Sequence, residues 1–177
     1  SKYKIDESRV YLTGHSMGGH GTWHLGAMFP DQFAAIGPSA GWISFWSYRF
    51  RGQNLADTSA VRKMIRRSTT PSETMSFAEN YKQQGVYIIH GEIDDNVRID
   101  QAKMMIDRLK EINHPDYQYH FQPDANHWWD LSDERGADCV DWPPLFDFFA
   151  RHARPLKDKI RQVDFQISNP GISSRNN

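Results

Sequence analysis

The sequence predicts an α/β fold, a parallel β-sheet flanked by helices. Two observations lead there. Short apolar, β-branched runs alternate with segments of helical spacing along the 177 residues. The segments between the strand-like runs are also long enough to cross over between parallel neighbours. In such sheets ligands gather beyond the carboxyl ends of the strands, so the residues just after each strand carry the functional question.

Arg9-Val10-Tyr11-Leu12-Thr13 reads as the first strand. Gly14-His15-Ser16-Met17-Gly18 follows, a G-x-S-x-G pentapeptide, and Gly19 to Phe29 has apolar residues at helical spacing before Pro30. Strand, sharp turn and helix form the setting of a nucleophile elbow, in which a strained turn presents a serine hydroxyl. Gly14 and Gly18 would relieve crowding beside such a serine. Outside that setting, the pentapeptide is a tight glycine-rich turn with an incidental serine.

The remaining elements follow in order. Phe33-Ala34-Ala35-Ile36-Gly37 suits a buried second strand, and residues 42–51 are aromatic and irregular. Residues 54–80 read as short helices, with Pro71 opening one that runs through Met75, Phe77 and Tyr81. Val86-Tyr87-Ile88-Ile89-His90 is the clearest strand. From Ile99 to Ile112, the spacing of Ile99, Ala102, Met105, Ile106 and Leu109 predicts an amphipathic helix. Tyr117 to Phe121 alternates as a fourth strand, and a last helix is expected around Leu145 to His152.

Composition narrows the function classes. A net charge of −1 gives no electrostatic case for nucleic acid or an anionic membrane. The cluster Arg62, Lys63, Arg66 and Arg67 is most simply a solvated helix face. No run approaches the ~18 apolar residues of a membrane-spanning helix. A lone cysteine, Cys139, excludes an intrachain disulfide. The hydrophobic fraction of 38% is low for a doubly covered sheet, as expected if core strands are missing.

Chemistry-bearing residues follow three strands in turn. Ser16 comes after the first strand, Asp94 and Asp95 after residues 86–90, and His127 after residues 117–121. Serine, acid and histidine in that order suit a triad. The hydroxyl needs a base to take its proton, histidine can take and return one, and a carboxylate fixes the imidazole tautomer. Asp95 is the alternative acid. His90 and His120 read as structural, and His15 sits beside the nucleophile but is expected to point away from a base's position. His20 and His24 stand at the i, i+4 spacing of a two-histidine metal face, without a third ligand. Trp42 and Trp128 are candidates to line a substrate pocket, with loop packing as the alternative.

The segment Ile5 to Gly19 resembles the elbow of α/β-hydrolases of the prolyl-oligopeptidase-like and esterase or depolymerase group. His90-Gly91-Glu92-Ile93-Asp94-Asp95-Asn96-Val97 is similar to that group's H-G-x-x-D-x-x-V acid motif, whose aspartate maps onto Asp94. His127 falls where the group's catalytic histidine is expected. The resemblance spans about residues 5 to 152. It implies a serine hydrolase cleaving an ester or peptide bond through an acyl-enzyme, with Ser16 as nucleophile, His127 as general base and acid, and Asp94 orienting it. The backbone N–H of Met17 would be an oxyanion-hole donor, and no metal or organic cofactor is implied. The group's elbow follows the fifth of about eight strands. Residues 1–162 are therefore expected to be the C-terminal part of a hydrolase domain whose N-terminal half supplies the second oxyanion donor. Residues 163–177 would open a further module. The rival expectation is a non-catalytic hydrolase-like binding or scaffold domain, or a fragment inactive in isolation.

Overall fold

The computed structural model describes residues 4–49 and 59–167. Phe50, the start of the 54–80 stretch and the tail from 168 onward lie outside the described residues. Among the described residues, four parallel strands form one sheet in the order β1 (Tyr11–His15), β2 (Ala35–Ser39), β3 (Gly85–Gly91) and β4 (Tyr117–Gln122). The fold is the expected α/β one, a parallel sheet flanked by helices. Both central strands, β2 and β3, are buried along their whole length, whereas β1 and β4 are partly exposed.

Helix α1 (Met17–Met28) follows β1, α2 (Phe45–Arg49) and α3 (Ala60–Thr69) follow β2, and α4 (Asp100–Glu111) connects β3 to β4. After β4 come α5 (Asp138–Asp141) and α6 (Pro143–Ala150). Side-chain alternation along the strands divides the core between two faces. Ile36, Val86 and Ile88 pack with Trp23 of α1 and with Met105 and Leu109 of α4. Ala35, Tyr87 and Ile89 point the other way, onto Leu145, Phe148 and Phe149 of α6.

Both early strands lie two residues later than expected, because Gly14 and Pro38 pair with each other inside the sheet rather than ending it. Residues 42–49 include the short helix α2. Pro71 sits in a one-turn 3₁₀ segment, and the stretch carrying Met75, Phe77 and Tyr81 is a second 3₁₀ run, Thr74–Gln83, interrupted at Phe77 (φ −108°). That run, with Gln84 just past it, braces the C-terminal half of α1, including its last carbonyls, which a helix leaves unpaired. Tyr81 Oη donates to Trp23 O at 2.7 Å, Asn80 Nδ2 to Ala27 O at 2.8 Å, and Gln84 Nε2 to Gly26 O at 2.8 Å.

The elbow is fixed by a close backbone approach. A Cβ on Gly19 would lie 2.3 Å from Ser39 O, and one on Gly41 would lie 2.4 Å from the Gly19 carbonyl carbon. A Cβ on Gly14 would meet Gly18 O at 2.6 Å, whereas one on Gly18 or Gly21 would meet nothing within 4 Å. Crowding is thus relieved at Gly14 and Gly19, and Gly18 matters through its backbone. In the full-length protein, Gly19→Ala is expected to destabilise by about 1–3 kcal/mol through backbone overlap. Gly21→Ala should be neutral or stabilising by up to about 1 kcal/mol through helix propensity. Chemical denaturation of the two variants checks the contrast.

Candidate active site

Ser16 joins β1 to α1 with φ 58° and ψ −115°, a conformation rare for a residue with a Cβ. Its N–H donates to Ser39 O at 2.9 Å, and its carbonyl accepts from His20 N at 3.0 Å. The next residue past β2, Ala40, also has positive φ (43°), and its N–H donates to Ile89 O at 2.9 Å. The turn is therefore held by main-chain bonds to the ends of β2 and α1.

Asp94 and His127 lie on loops that continue the pairing of β3 and β4. Glu92 N donates to Gln122 O and Ile93 N to Ala125 O, both at 3.0 Å. Gly91 allows the approach, since a Cβ there would sit 2.3 Å from Asn126 O. Asn126 Oδ1 then accepts from the amides of His127 (2.6 Å) and Asp95 (3.1 Å), tying one loop to the other.

The three side chains after the strands meet. Asp94 Oδ2 lies 2.7 Å from His127 Nδ1, and His127 Nε2 lies 2.9 Å from Ser16 Oγ. A carboxylate can only accept, so Nδ1 carries the proton and Nε2 is left to accept from the serine. Asp95 is exposed, and it is Asp94 that faces the imidazole. The buried Asp94 carboxylate accepts further bonds at Oδ1 from the amides of Asn96 (3.0 Å) and Val97 (2.8 Å). His90 Nε2 donates to Val97 O at 2.6 Å and stands 3.4 Å from Asp94 Oδ2. Burial by itself would raise the Asp94 pKa, but bonds from His90, His127 and the Val97 amide outweigh it and leave the pKa below the ordinary carboxylate value.

His90, read from the sequence as a structural residue that opens the acid motif, sits four residues before Asp94. Its ring, like the Asn126 amide, supports the loop geometry from outside the serine–histidine–acid line. His120 bonds Gln122 Oε1 at 2.9 Å. His15 stays on the site's side, its ring centroid 4.7 Å from that of His127.

Starting at Met17, the residue after Ser16, an open cleft of about 440 Å³ is lined by Met17, His20, His24, Phe45, Thr69 and Pro71 among others. A larger cleft of about 550 Å³ lies between the 79–83 segment and residues 154–166, remote from Ser16, and no residue with an assigned chemistry lines it. Trp42 is only 5% exposed, stacked between His20 (5.1 Å) and Tyr48 (4.4 Å), so it backs the near cleft from behind. Trp128 is 64% exposed and meets His127 edge-on at 6.0 Å. His20 Nδ1 donates to Trp42 O at 2.8 Å, and burial lowers its pKa, leaving an uncharged ring in the cleft wall. Among the described residues, no group of three His, Cys, Asp or Glu side chains is placed to hold a metal ion. No helix among them is long and apolar enough to cross a membrane.

The sequence profile of the prolyl oligopeptidase family matches residues 1–154. An uncharacterised secreted protein of Arthroderma benhamiae is 31% identical over 118 residues, covering 67% of this chain and 13% of that protein. A probable dipeptidyl-aminopeptidase B of Ajellomyces capsulatus is 27% identical over 129 residues, covering 72% of this chain and 14% of its own length. The structure of a thermostable esterase superposes with a TM-score of 0.56 at 24% identity, covering 86% of this chain and 33% of the esterase. The chain thus spans about a seventh of the length of the curated relatives it matches.

The Asp94 pKa gives a sign for stability. A carboxylate with a depressed folded-state pKa stabilises fully above its unfolded value and loses that contribution as pH falls through the folded value. In the full-length protein Asp94→Asn is expected to lower stability most near pH 7. The gap to wild type should narrow as pH falls below the unfolded-state value of about 4 and close once pH passes below the depressed folded-state value, where the native carboxyl also becomes neutral. Denaturant midpoints at pH 7 and pH 3 check this.

Proposed function

This chain belongs to the prolyl oligopeptidase family, and we propose that it carries the catalytic residues of a serine hydrolase that cleaves an ester or peptide bond through an acyl-enzyme. The observation that carries the proposal is the unbroken line from Ser16 Oγ to His127 Nε2 at 2.9 Å and from His127 Nδ1 to Asp94 Oδ2 at 2.7 Å.

In this reading Ser16 Oγ attacks the scissile carbonyl carbon while its proton passes to His127 Nε2. The imidazolium so formed lies against the buried Asp94 carboxylate, whose hydrogen bonds keep it ionised. The oxyanion of the tetrahedral intermediate would be met by the Met17 N–H, the first amide of α1, at the helix end that favours negative charge. Collapse breaks the bond to the leaving group, which takes the proton from His127 Nε2. Water then repeats the sequence on the acyl-Ser16 ester, giving its proton to His127 and releasing the acid.

The near cleft, beginning at Met17 and walled by Phe45 and His20, would take the acyl side of the substrate. Trp42 acts by holding that wall, and Trp128, exposed beside His127, would meet the leaving-group side. The open lining fits a carboxylic ester or a peptide.

Steady-state kinetics of the full-length protein on a p-nitrophenyl ester and a peptide p-nitroanilide test the proposal. Ser16→Ala and His127→Ala should each lower kcat by about a thousandfold or more, and the double variant should be no slower than the worse single one, since the residues act as a unit. Turnover of both substrates by Ser16→Ala at the wild-type rate would refute it.

A further inference from the structure

We propose that His15, the residue before the nucleophile, is a positioning residue: an imidazole anchored to the sheet through Ser39 that holds the ring of His127 on the line between Ser16 and Asp94. The inference rests on the reading of those three residues as a catalytic unit.

The anchor is a directed chain of hydrogen bonds. His15 Nδ1 lies 3.0 Å from Ser39 Oγ, which lies 2.5 Å from Cys139 O. A carbonyl only accepts, so the single hydroxyl proton of Ser39 goes to Cys139. Toward His15 the hydroxyl oxygen can therefore only accept, and His15 Nδ1 carries a proton. Tautomer and ring orientation follow from the two bonds. Ser39 also takes the Ser16 N–H on its backbone carbonyl at 2.9 Å. One residue at the end of β2 thus orients the nucleophile through its main chain and His15 through its side chain.

The anchored ring packs against the base. His15 and His127 have centroids 4.7 Å apart with planes tilted by 48°, and Trp128 lies 4.2 Å from His15 and 6.0 Å from His127. The three rings close a triangle, so His127 is packed on the side that faces His15 and Trp128. Charge agrees with the geometry. Burial, and after it the proximity of His127, depress the His15 pKa to about 4. His15 Nε2 is shielded from solvent and has no hydrogen-bond partner among the described residues. The ring is therefore neutral at pH 7, and no second cation opposes the imidazolium when His127 takes the serine proton.

Double-mutant kinetics of the full-length protein on the p-nitrophenyl ester test the inference. His15→Ala should lower kcat by about tenfold or more with KM changed by less than about twofold, as for a group that orients the base without touching substrate. Ser39→Ala should lower kcat by about threefold or more alone and add little in the His15→Ala background, because both act through one chain. A wild-type kcat for His15→Ala, a rise in KM at constant kcat, or effects of the two substitutions that multiply would each overturn it. Should His15→Ala fail to fold, His15→Phe keeps the ring volume without the Ser39 bond, and an unchanged kcat there overturns it equally. A wild-type protein without Ser16-dependent turnover would instead remove the hydrolase reading beneath it.

Discussion

The structure depends on the backbone of Ser16. At φ 58° and ψ −115° it occupies a region that costs on the order of 1–3 kcal/mol, and it stays there because its surroundings leave no relaxed alternative. The first turn of α1 presses on the loop after β2, with glycines at 19 and 41 because no Cβ fits between them. Ser39 O holds the Ser16 amide, and Ala40, itself at positive φ, is bonded to β3. The position of Ser16 is thus written into the junction of three strands and a helix rather than into a flexible loop.

Asp94 organises the other half of the site. A buried carboxylate is unfavourable unless its charge is met, and here two backbone amides and two imidazoles meet it. The same bonds that keep the group ionised also fix its direction, so holding the charge and orienting His127 are one arrangement. Asn126 and the close approach at Gly91 keep the acid loop and the histidine loop in register. The fold brings the Asp94 carboxylate and the His127 imidazole together by extending parallel pairing a few residues beyond β3 and β4.

Much of this was legible because function in a parallel sheet lies at strand ends, and strands are the plainest periodic signal in a chain. Ser16 and His127 could be picked out from position and residue type, whereas the choice of Asp94 over Asp95 rested on the resemblance to the hydrolase acid motif. The three side chains meet in the structure. Boundaries were less legible, because Gly14 and Pro38 look like strand breakers and become paired strand residues only when β1 and β2 meet. The short helix α2 was hidden by an aromatic segment whose order comes from stacking of Trp42 on His20 and Tyr48. Contacts between residues distant in sequence, such as Gly19 with Gly41 or His15 with His127, leave no local pattern at all. His90 is the intermediate case, since its spacing to Asp94 was visible but its bond to Val97 O was not.

The central claim, that the elbow presents Ser16 as the reactive group, is tested most directly by covalent modification of the full-length protein. A fluorophosphonate forms a stable phosphonyl ester only with a serine whose proton is being taken as it attacks. Peptide mapping by mass spectrometry should place one adduct, on Ser16, with activity lost in proportion to labelling. An adduct on another serine, or complete inhibition with Ser16 unmodified, would contradict the claim.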